Sequence, residues 1–514
     1  MDSRHDDKRM NVEEDRLSSL PDCLIHKILS FISIKHAIQT SVLSSRWRFI
    51  WTSMPYLNLS RDDFTLLPKF SEFVTHVLSD RNNQTEVSSV KLTLHGEDSD
   101  VFVKQIIKYA FSHNIQTLNV ATVLESDVQI PLFLFSSRSL KHLSFTMKCS
   151  AAREYRTIVE YLPYYFKATS TWDFPALTTL YLHSVTLCCD ERNDPCIDLF
   201  SKCANLKDLT IRDCYMNGFE VVRICLPLLS NLTLEQSISG SVKDINIVAP
   251  QLKNLTITDF QHKNYLISAP NLVFLLYKGY HCLQPPASDF ISLEKADICV
   301  FYPKCAHQVL CLLQRLHSVK FLTLSLEIVE LLSSSVELLS NQPSPFANLK
   351  SLMIHPGQLI RSRERVKMSA EVRGYLLDSS PGATFTVYAY EYIRVMYNTK
   401  LAQDHIKKLR TFLEKEKAAT GTKMAKIHEQ GKADVDIDMS LKDLSVQVEK
   451  GKRKASFIIS ILKDINQVLE KLPASNRAMI QPSISTLRAE ADTVMKKITD
   501  CIKMDLQLVK SVLS

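Results

Sequence analysis

A six-residue pattern, Leu-x-x-Leu-x-Leu with apolar substitutions, recurs through most of this 514-residue chain. In the central part of the chain, successive copies begin 23, 23, 20 and 21 residues apart. A unit of that length cannot bury its own apolar face, so neighbouring units must stack and share one core. The pattern begins at Val87, Ile115, Leu140, Leu177, Leu206, Leu229, Leu252, Leu272, Leu293, Val319 and Leu349.

The intervals fit leucine-rich repeats, whose period is about 20–29 residues. Each copy predicts a short strand with its leucines turned into the shared core. We therefore expect an α/β repeat solenoid with a curved parallel sheet. The outer intervals of 25 to 37 residues predict loops or helices on the convex side. An antiparallel β-sandwich is the alternative, and the recurring leucine spacing disfavours it.

Side chains that alternate with the strand leucines are predicted to line the concave face of this sheet. A mixed face with exposed aromatic groups suits recognition of a target protein. The competing interpretation is that these aromatic groups fill gaps under convex loops, and the sequence does not separate the two. The candidates for target binding are Tyr181, His183, Arg212, Phe274, Leu276 and Lys278.

Three short amphipathic helices are predicted before residue 60. Pro21 suits the first turn of the first helix, because its missing N–H costs nothing there. A break at Ser33 precedes the second helix, whose Val42 is expected to point inward, and Ser44 or Ser45 can cap the third. About forty residues are too few for an ordinary core. The segment must bury its apolar side against something else, either a partner or the end of the repeat array.

Two runs in this segment resemble the plant F-box: Leu20-Pro-Asp-x-Leu-Ile-x-x-Ile-Leu-Ser-Phe31 and Thr40-Ser-Val-Leu-Ser-x-Arg-Trp-Arg-x-x-Trp51. Two repeats also share a prefix, Ile247-Val-Ala-Pro-Gln-Leu252 and Ile267-Ser-Ala-Pro-Asn-Leu272. Together these features resemble the plant F-box/leucine-rich-repeat family, including relatives with a C-terminal FBD region. For that region, residues 384–390 predict a last strand.

The resemblance implies a non-catalytic substrate-recognition subunit of an SCF-type ubiquitin ligase. The F-box would bind a Skp-type adaptor and through it a cullin, while the repeats would bind an unknown target protein. A scaffold without a role in ubiquitylation is the alternative, and a small-molecule receptor is a third possibility that the near-neutral repeat region disfavours. The implied adaptor contacts are Leu20, Pro21, Leu24, Ile25, Ile28, Leu29, Val42, Leu43 and Trp47.

Helical periodicity replaces the repeats after about residue 397. One stripe, from Leu401 to Leu413, precedes a polar break at Thr420-Gly421, and two more follow. The stripes are not strict heptads, which favours an intramolecular bundle over a dimeric coiled coil. Residues 401–514 carry 21 Lys/Arg and 15 Asp/Glu, hence +6 of the chain's net charge of +7. We expect an F-box at residues 14–60, a repeat region at 61–395 and a helical extension at 396–514.

Several function classes are disfavoured by the sequence. The spacing of the 13 cysteines fits no zinc template, and no nucleotide-binding or hydrolase motif is present. We therefore predict no cofactor, metal or active site. No run reaches the ~18 apolar residues of a membrane span, and the polar N-terminus is not a secretory signal. The balance of charge does not favour nucleic acid. Reduced thiols predict the nucleus and/or the cytoplasm, and the run from Lys450 to Lys454 is either an import signal or a solvated turn.

Overall fold

The main element of the structure is a sheet of 13 strands that follow one another in chain order. Every recorded pairing between neighbours from the first strand to the strand at 321–325 is parallel. The strands are β1 (Tyr56–Ser60), β2 (Ser89–His95), β3 (Thr117–Leu124), β4 (His142–Cys149), β6 (Thr179–His183), β9 (Asp208–Arg212), β12 (Asn231–Glu235), β15 (Asn254–Asp259), β17 (Phe274–Gly279), β18 (Lys295–Val300), β19 (Phe321–Ser325), β20 (Ser351–His355) and β21 (Thr384–Val387).

The computed structural model of the protein describes most of the chain. Contacts divide it into one unit of Met1–Leu352 with Lys367–Thr384 and another of Met353–Val366 with Phe385–Ser514. The described residues are 19–64, 66–82, 84–95, 99–124, 137–149, 166–167, 172–188, 196–235, 239–240, 242–259, 263–284, 290–339, 342–355, 368–387, 390–430, 453, 455–472 and 474–513.

All eleven copies of the leucine pattern coincide with strands of the main sheet. Each copy begins two residues before its strand, from Val87 before β2 to Leu349 before β20, and each first residue is buried. Within the strands, inward and outward side chains alternate, as in β12, where Leu232 and Leu234 are buried. The parallel registers exclude the antiparallel sandwich, and the prediction of a large parallel α/β sheet is confirmed.

Strand β1 is a further copy of the leucine pattern, in addition to the eleven predicted ones. Met54 occupies the first position of the pattern, since Leu57 and Leu59 follow it at the expected spacing and all three side chains are buried. Methionine fills such a core position well because it is unbranched and adapts its shape. The predicted last strand also forms, as β21.

Two smaller parallel sheets occur in the intervals between residues 140 and 272. The sequence predicted loops or helices for the outer of these intervals and no regular structure for the central ones. In β14, Ile245 and Ile247 are buried and alternate with polar residues, which is the signal that could have revealed these strands. One sheet contains β5 (Phe166–Lys167), β7 (Thr186–Cys188), β10 (Tyr215–Asn217) and β13 (Ser239–Gly240), and the other contains β8 (Cys196–Ile197), β11 (Val221–Cys225), β14 (Asp244–Val248) and β16 (Asn264–Ser268).

Helices occupy the outer intervals 87–115, 293–319 and 319–349, as predicted, and also lie before the first strand and after the last strand of the main sheet. Pro68 stands in the first turn of α4, where it leaves no amide unsatisfied. The helices are α1 (Asp22–Leu29), α2 (Ile34–Gln39), α3 (Trp47–Ile50), α4 (Leu67–Asp80), α5 (Ser99–Ser112), α6 (Ala306–Gln314), α7 (Leu326–Ser333), α8 (Ala370–Leu377), α9 (Tyr390–Gln430), α10 (residues 455–469) and α11 (Ala474–Leu513).

Helices α9, α10 and α11 share an apolar core of their own. Arg394 and Asn398 of α9 both donate hydrogen bonds to the Asp464 carboxylate of α10, which fixes the two helices side by side. This common core agrees with the bundle predicted from the stripes. It contains Val395, Ala402, Ile406, Leu409, Leu413, Ile458, Ile461, Ile465, Val468, Leu469, Leu472, Ile480, Ile484, Leu487, Ala491 and Val494.

Two details of the helical prediction were wrong. Helix α9 does not end at Gly421 but continues to Gln430, because one glycine costs only about 1 kcal/mol in a helix interior. Phe457, expected on the inner stripe of α10, is exposed and lies against the His405 ring at 4.6 Å. Leu441 and, apart from Arg453, the predicted basic run lie outside the described residues. No helix in the described part of the chain is long and apolar enough to span a membrane.

We predict that Leu232→Ala destabilises the sheet far more than Thr233→Ala. Leu232 is buried against the leucines of neighbouring repeats, so its loss leaves a cavity that costs about 2–5 kcal/mol of unfolding free energy. Thr233 points outward, and its replacement should cost no more than about 1 kcal/mol. Urea unfolding followed by circular dichroism measures both. Equal shifts of the two midpoints would contradict the inward and outward assignment.

Candidate functional site

Helix α1 divides its apolar residues between two sides. Ile25 and Leu29, four residues apart on one side, are buried, whereas Leu24 and Ile28 are exposed. Consecutive helical residues differ by about 100°, so neighbours in this run cannot all face the core. Pro21 occupies the N-cap position, one residue before the first turn predicted for it. The helix therefore keeps one apolar side for internal packing and offers another outward.

Helices α2 and α3 complete the internal side of this small module. Ile34, Ala37, Trp47 and Ile50 are buried there. Arg46 immediately precedes α3 and makes no capping hydrogen bond through its side chain, so the cap predicted at Ser44 or Ser45 stays a prediction. Other interactions secure the start and the end of the short helix.

One of these interactions is an ion pair between Arg46 Nη2 and Asp22 Oδ1 at 2.5 Å, which joins the starts of α3 and α1. The other is a contact of 3.1 Å between His26 Nε2 and the Ile50 carbonyl, where the ring N–H can donate. Both connect α1 with α3 across 24 residues of sequence. The three short helices are thereby held in a fixed arrangement.

Arg81, a buried residue that follows α4, attaches this module to the main sheet. Its Nη2 donates to the Met54 carbonyl at 2.5 Å and its Nη1 to the Trp51 carbonyl at 3.3 Å. Its Nε donates to the Tyr109 hydroxyl of α5 at 3.3 Å. Burial lowers the pKa of Arg81, and the hydrogen bond and electrostatic interaction with Tyr109 partly offset this effect. An arginine keeps its charge in proteins, so these partners bind a cation.

The outward side of the module carries what we call the N-terminal apolar surface. Val42 is 87% and Phe31 78% exposed, which is unusual for side chains of this kind. Seven large apolar side chains within 26 residues of sequence are exposed. The members of the surface are Leu24, Ile28, Phe31, Ile32, Val42, Leu43 and Phe49.

The nine residues that the resemblance implied as adaptor contacts fall into two groups. Pro21, Leu24, Ile28, Val42 and Leu43 are exposed, and Leu20 is half-buried. The remaining three are covered by the protein itself: Ile25, Leu29 and Trp47.

This division has a clear cause in each helix. The spacing of apolar residues does not tell which side of a short helix is inward when both sides are apolar, so Ile25 and Leu29 could not be separated from Leu24 and Ile28. Val42, predicted to point inward, lies in a 3₁₀ turn that follows α2 and is exposed. The tighter turn rotates it away from the direction that α-helical periodicity assigns.

Three members of the N-terminal apolar surface were not predicted. Phe31 and Ile32 follow the end of α1, and Phe49 lies on the outer side of α3. None of them belongs to the apolar stripe of its helix. The sequence signal that could have revealed them is their position: they are large and apolar but lie off the stripe that packs inside the module.

The six candidates for target binding all lie on the outward side of the main sheet. In β6, Tyr181 and His183 stand beside Thr210 and Arg212 of β9. Strands β12 and β15 separate this group from the other three candidates, which lie together on β17. Those three are Phe274, Leu276 and Lys278.

Several of these side chains already have partners within the chain. Arg212 Nη2 lies 2.6 Å from Glu235 Oε2, and His183 Nε2 lies 3.4 Å from Asp213 Oδ2. The Lys295 ammonium stands over the Phe274 ring at 5.4 Å. The surface thus offers aromatic groups among paired charges, an arrangement that suits protein recognition better than capture of a small ion.

We predict that Arg81→Ala loosens the attachment of the N-terminal module. The change removes the buried donor to the Met54 carbonyl, at about 1–3 kcal/mol for a buried unsatisfied group. It also removes one donor to the Trp51 carbonyl, which keeps the hydrogen bond from the Met54 N–H. Faster amide hydrogen exchange over residues 47–60, with little change in β15, is the expected result. Arg48→Ala, an exposed arginine of α3, is the matched control. If amide hydrogen exchange over residues 47–60 is as slow in both variants as in the wild type, Arg81 does not attach the module to the main sheet.

These features are similar to those of known plant proteins. Residues 17–59 match the F-box domain. The chain is 29% identical over 366 residues to an Arabidopsis thaliana protein named as an F-box/FBD/LRR-repeat protein, covering 66% of this chain and 68% of the relative. It is 27% identical over 267 residues to F-box/LRR-repeat protein 13 of the same plant, covering 50% and 55%.

A third relative, named as an FBD-associated F-box protein of Arabidopsis thaliana, is 29% identical over 365 residues, covering 66% of this chain and 74% of the relative. The N-terminal apolar surface lies within the matched domain. The chain therefore contains an F-box domain at residues 17–59, and over about two thirds of its length it is similar to plant F-box/FBD/LRR-repeat proteins.

Proposed function

We propose that this protein is the substrate-recognition subunit of an SCF-type E3 ubiquitin ligase. In this role the F-box binds a Skp-type adaptor, the main sheet binds a target protein, and other subunits carry out the chemistry. The observation that carries the proposal is the N-terminal apolar surface within residues 17–59. Binding to a common adaptor would raise the effective concentration of target lysines near the conjugating enzyme.

The adaptor-binding role is supported by the amount of apolar surface left open. Burial of such surface contributes about 25 cal/mol per Å², and a few large side chains usually supply most of the energy of an interface. Val42, Phe31 and Phe49 are the most exposed members and are suited to act as anchors. Ile25, Leu29 and Trp47 support them from inside, so we assign these three to the shape of the surface and not to direct contact.

Target binding is supported by the outward side of the main sheet. We propose that its repeats form a curved solenoid in which the six candidate residues line the concave side. Tyr181, Phe274 and Leu276 supply apolar contact area, while Arg212 and Lys278 supply charge. Large amphipathic side chains and arginines are enriched in protein interfaces. We also propose that the protein acts in the nucleus and/or cytoplasm as a non-catalytic subunit.

A scaffold that takes no part in ubiquitylation is the alternative function. The helical unit of α9 to α11 favours the scaffold function, because this unit has its own core and its own exposed apolar residues, such as Met396 and Tyr397. Such a unit can bind a partner independently of the F-box. Adaptor binding separates the two functions, because only the ligase subunit requires it.

We predict that Val42→Asp combined with Leu43→Asp abolishes adaptor binding and leaves the fold intact. Both side chains are exposed, so the new charges stay in water in the free protein but become buried and unpaired in the complex. Co-expression of the full chain with a Skp-type adaptor, followed by pull-down and calorimetry, measures the effect. A loss of at least about 100-fold in affinity corresponds to about 2.7 kcal/mol.

Ile291→Asp is the matched control, because Ile291 is equally apolar and exposed but lies in the repeat region. It should bind the adaptor as the wild type does. A folded wild-type chain that ignores the adaptor would overturn the ligase proposal and leave the scaffold. Binding that survives the double aspartate change would show that the adaptor uses a different surface.

The target-binding proposal predicts a separable loss. Tyr181→Ala with Phe274→Ala removes two aromatic groups from the outward side of the main sheet and leaves the F-box unchanged. This variant should keep adaptor affinity and lose ubiquitylated proteins that accumulate with the wild type when the proteasome is inhibited. Quantitative mass spectrometry of ubiquitin remnants checks this. An unchanged set of ubiquitylated proteins would place target recognition elsewhere.

A further inference from the structure

Three cysteines and a histidine come together where β17 ends and α6 begins. Cys282 follows the last residue of β17 by three positions, and Cys305 immediately precedes α6. Cys311 lies within α6, where its Sγ is 3.6 Å from His307 Nδ1 one turn earlier. The proposed ligase role uses none of these side chains.

Backbone pairing brings the segment after β17 alongside the segment after β18. The Tyr302 amide donates to the Tyr280 carbonyl at 3.0 Å, beyond the end of both strands, and the two tyrosine rings lie 5.5 Å apart. Cys282 is two residues past Tyr280, and Cys305 is three residues past Tyr302. The two thiols are therefore carried on neighbouring, aligned stretches of chain.

The surroundings of the thiols differ. Burial raises the pKa of Cys282 to about 12, and negative charge on Cys305 and on Cys311 contributes to the rise. Such an effect requires that both thiols lie close to Cys282. Cys305 itself is exposed, whereas Cys282 and Cys311 are half-buried. A dissolved oxidant thus reaches Cys305 most readily.

We propose that Cys305 and Cys282 form a reversible oxidation site that closes a disulfide in response to a hydroperoxide. In the first step the Cys305 sulfur attacks the O–O bond, which breaks to give a sulfenic acid on Cys305 and one water from hydrogen peroxide. In the second step the Cys282 sulfur displaces the sulfenic oxygen, which leaves as water with the Cys282 proton. Two thiols are oxidised to one S–S bond, one peroxide is reduced to two waters, and thiol reductants reverse the change.

The electrostatics favour this order of events. A protonated, half-buried Cys282 is a poor first target, because the thiolate is the reactive form. Cys305 is exposed and is therefore oxidised first, and Cys282, on the neighbouring stretch of chain, then reacts with the sulfenic acid. The site does not depend on adaptor binding.

A disulfide at this place would tether the end of β17 to the start of α6. Lys278, one of the candidates for target binding, lies four residues before Cys282. Oxidation would then restrict the segment next to the outward side of the main sheet. The sequence also makes the link easy to detect, because trypsin cleaves after Lys278, Lys295, Lys304 and Arg315.

Titration of the full chain with hydrogen peroxide, followed by alkylation, tryptic digestion and mass spectrometry, tests the proposal. The expected product is peptide 279–295, which contains Cys282, linked to peptide 305–315, which contains Cys305 and Cys311. Dithiothreitol should release the two peptides. Cys311→Ser should keep the link and thereby assign it to Cys305, whereas Cys282→Ser should lose it.

Cys23→Ser is the matched control, since Cys23 is exposed and lies in α1. It should leave the yield of the linked peptides unchanged. Several results would overturn the proposal: a link within peptide 305–315, a link between two chains, or Cys305 oxidised without any bond to Cys282. Should Cys282→Ser fail to fold by circular dichroism, the Cys311→Ser digest alone decides, because it still contains both reacting cysteines.

Discussion

The large sheet depends on the burial of the first apolar residue in every copy of the leucine pattern. These side chains lie beneath the chain at the start of each strand, and in the register from β9 to β17 the next inward positions, Leu209, Leu232, Leu255 and Leu275, stand side by side. One copy alone has nothing to bury these groups against. Each strand therefore stabilises the next, and the polar side chains between the leucines are left on the outward side as a consequence of the strand period.

The F-box module meets the same requirement with far fewer residues. Its inward side is closed by Ile25, Leu29, Trp47 and neighbouring residues, and Arg81 attaches the end of the module through two backbone carbonyls. Three short helices cannot cover both of their apolar sides in this way. The open side is therefore not a defect of packing, because the residues that could have closed it are already used to hold the module in place.

The sequence predicted the sheet better than it predicted the site. Every copy of the leucine pattern marks a strand, because the spacing reports directly on which side chains must be buried. The helical module carries less information, since Leu24 and Ile25 are both apolar and only the packing of the folded module decides which one is covered. Phe31 and Phe49 were missed because they lie off the stripe on which the prediction depended, and β14 was missed because the leucine pattern marks only the first strand of each central repeat.

Charge pairing on the outward side of the sheet limits what could select a target. Arg212 is already matched by Glu235 and His183 by Asp213, so a new charged partner must displace or extend an existing pair. Exposed pairs of this kind contribute little, about 0–1 kcal/mol, and exchanging one for another yields little net affinity. The apolar groups gain more from being covered, since their alternative is contact with water. In the proposed recognition role, Tyr181 and Leu276 would then supply most of the affinity, while the paired charges set the orientation of the target and exclude mismatched ones.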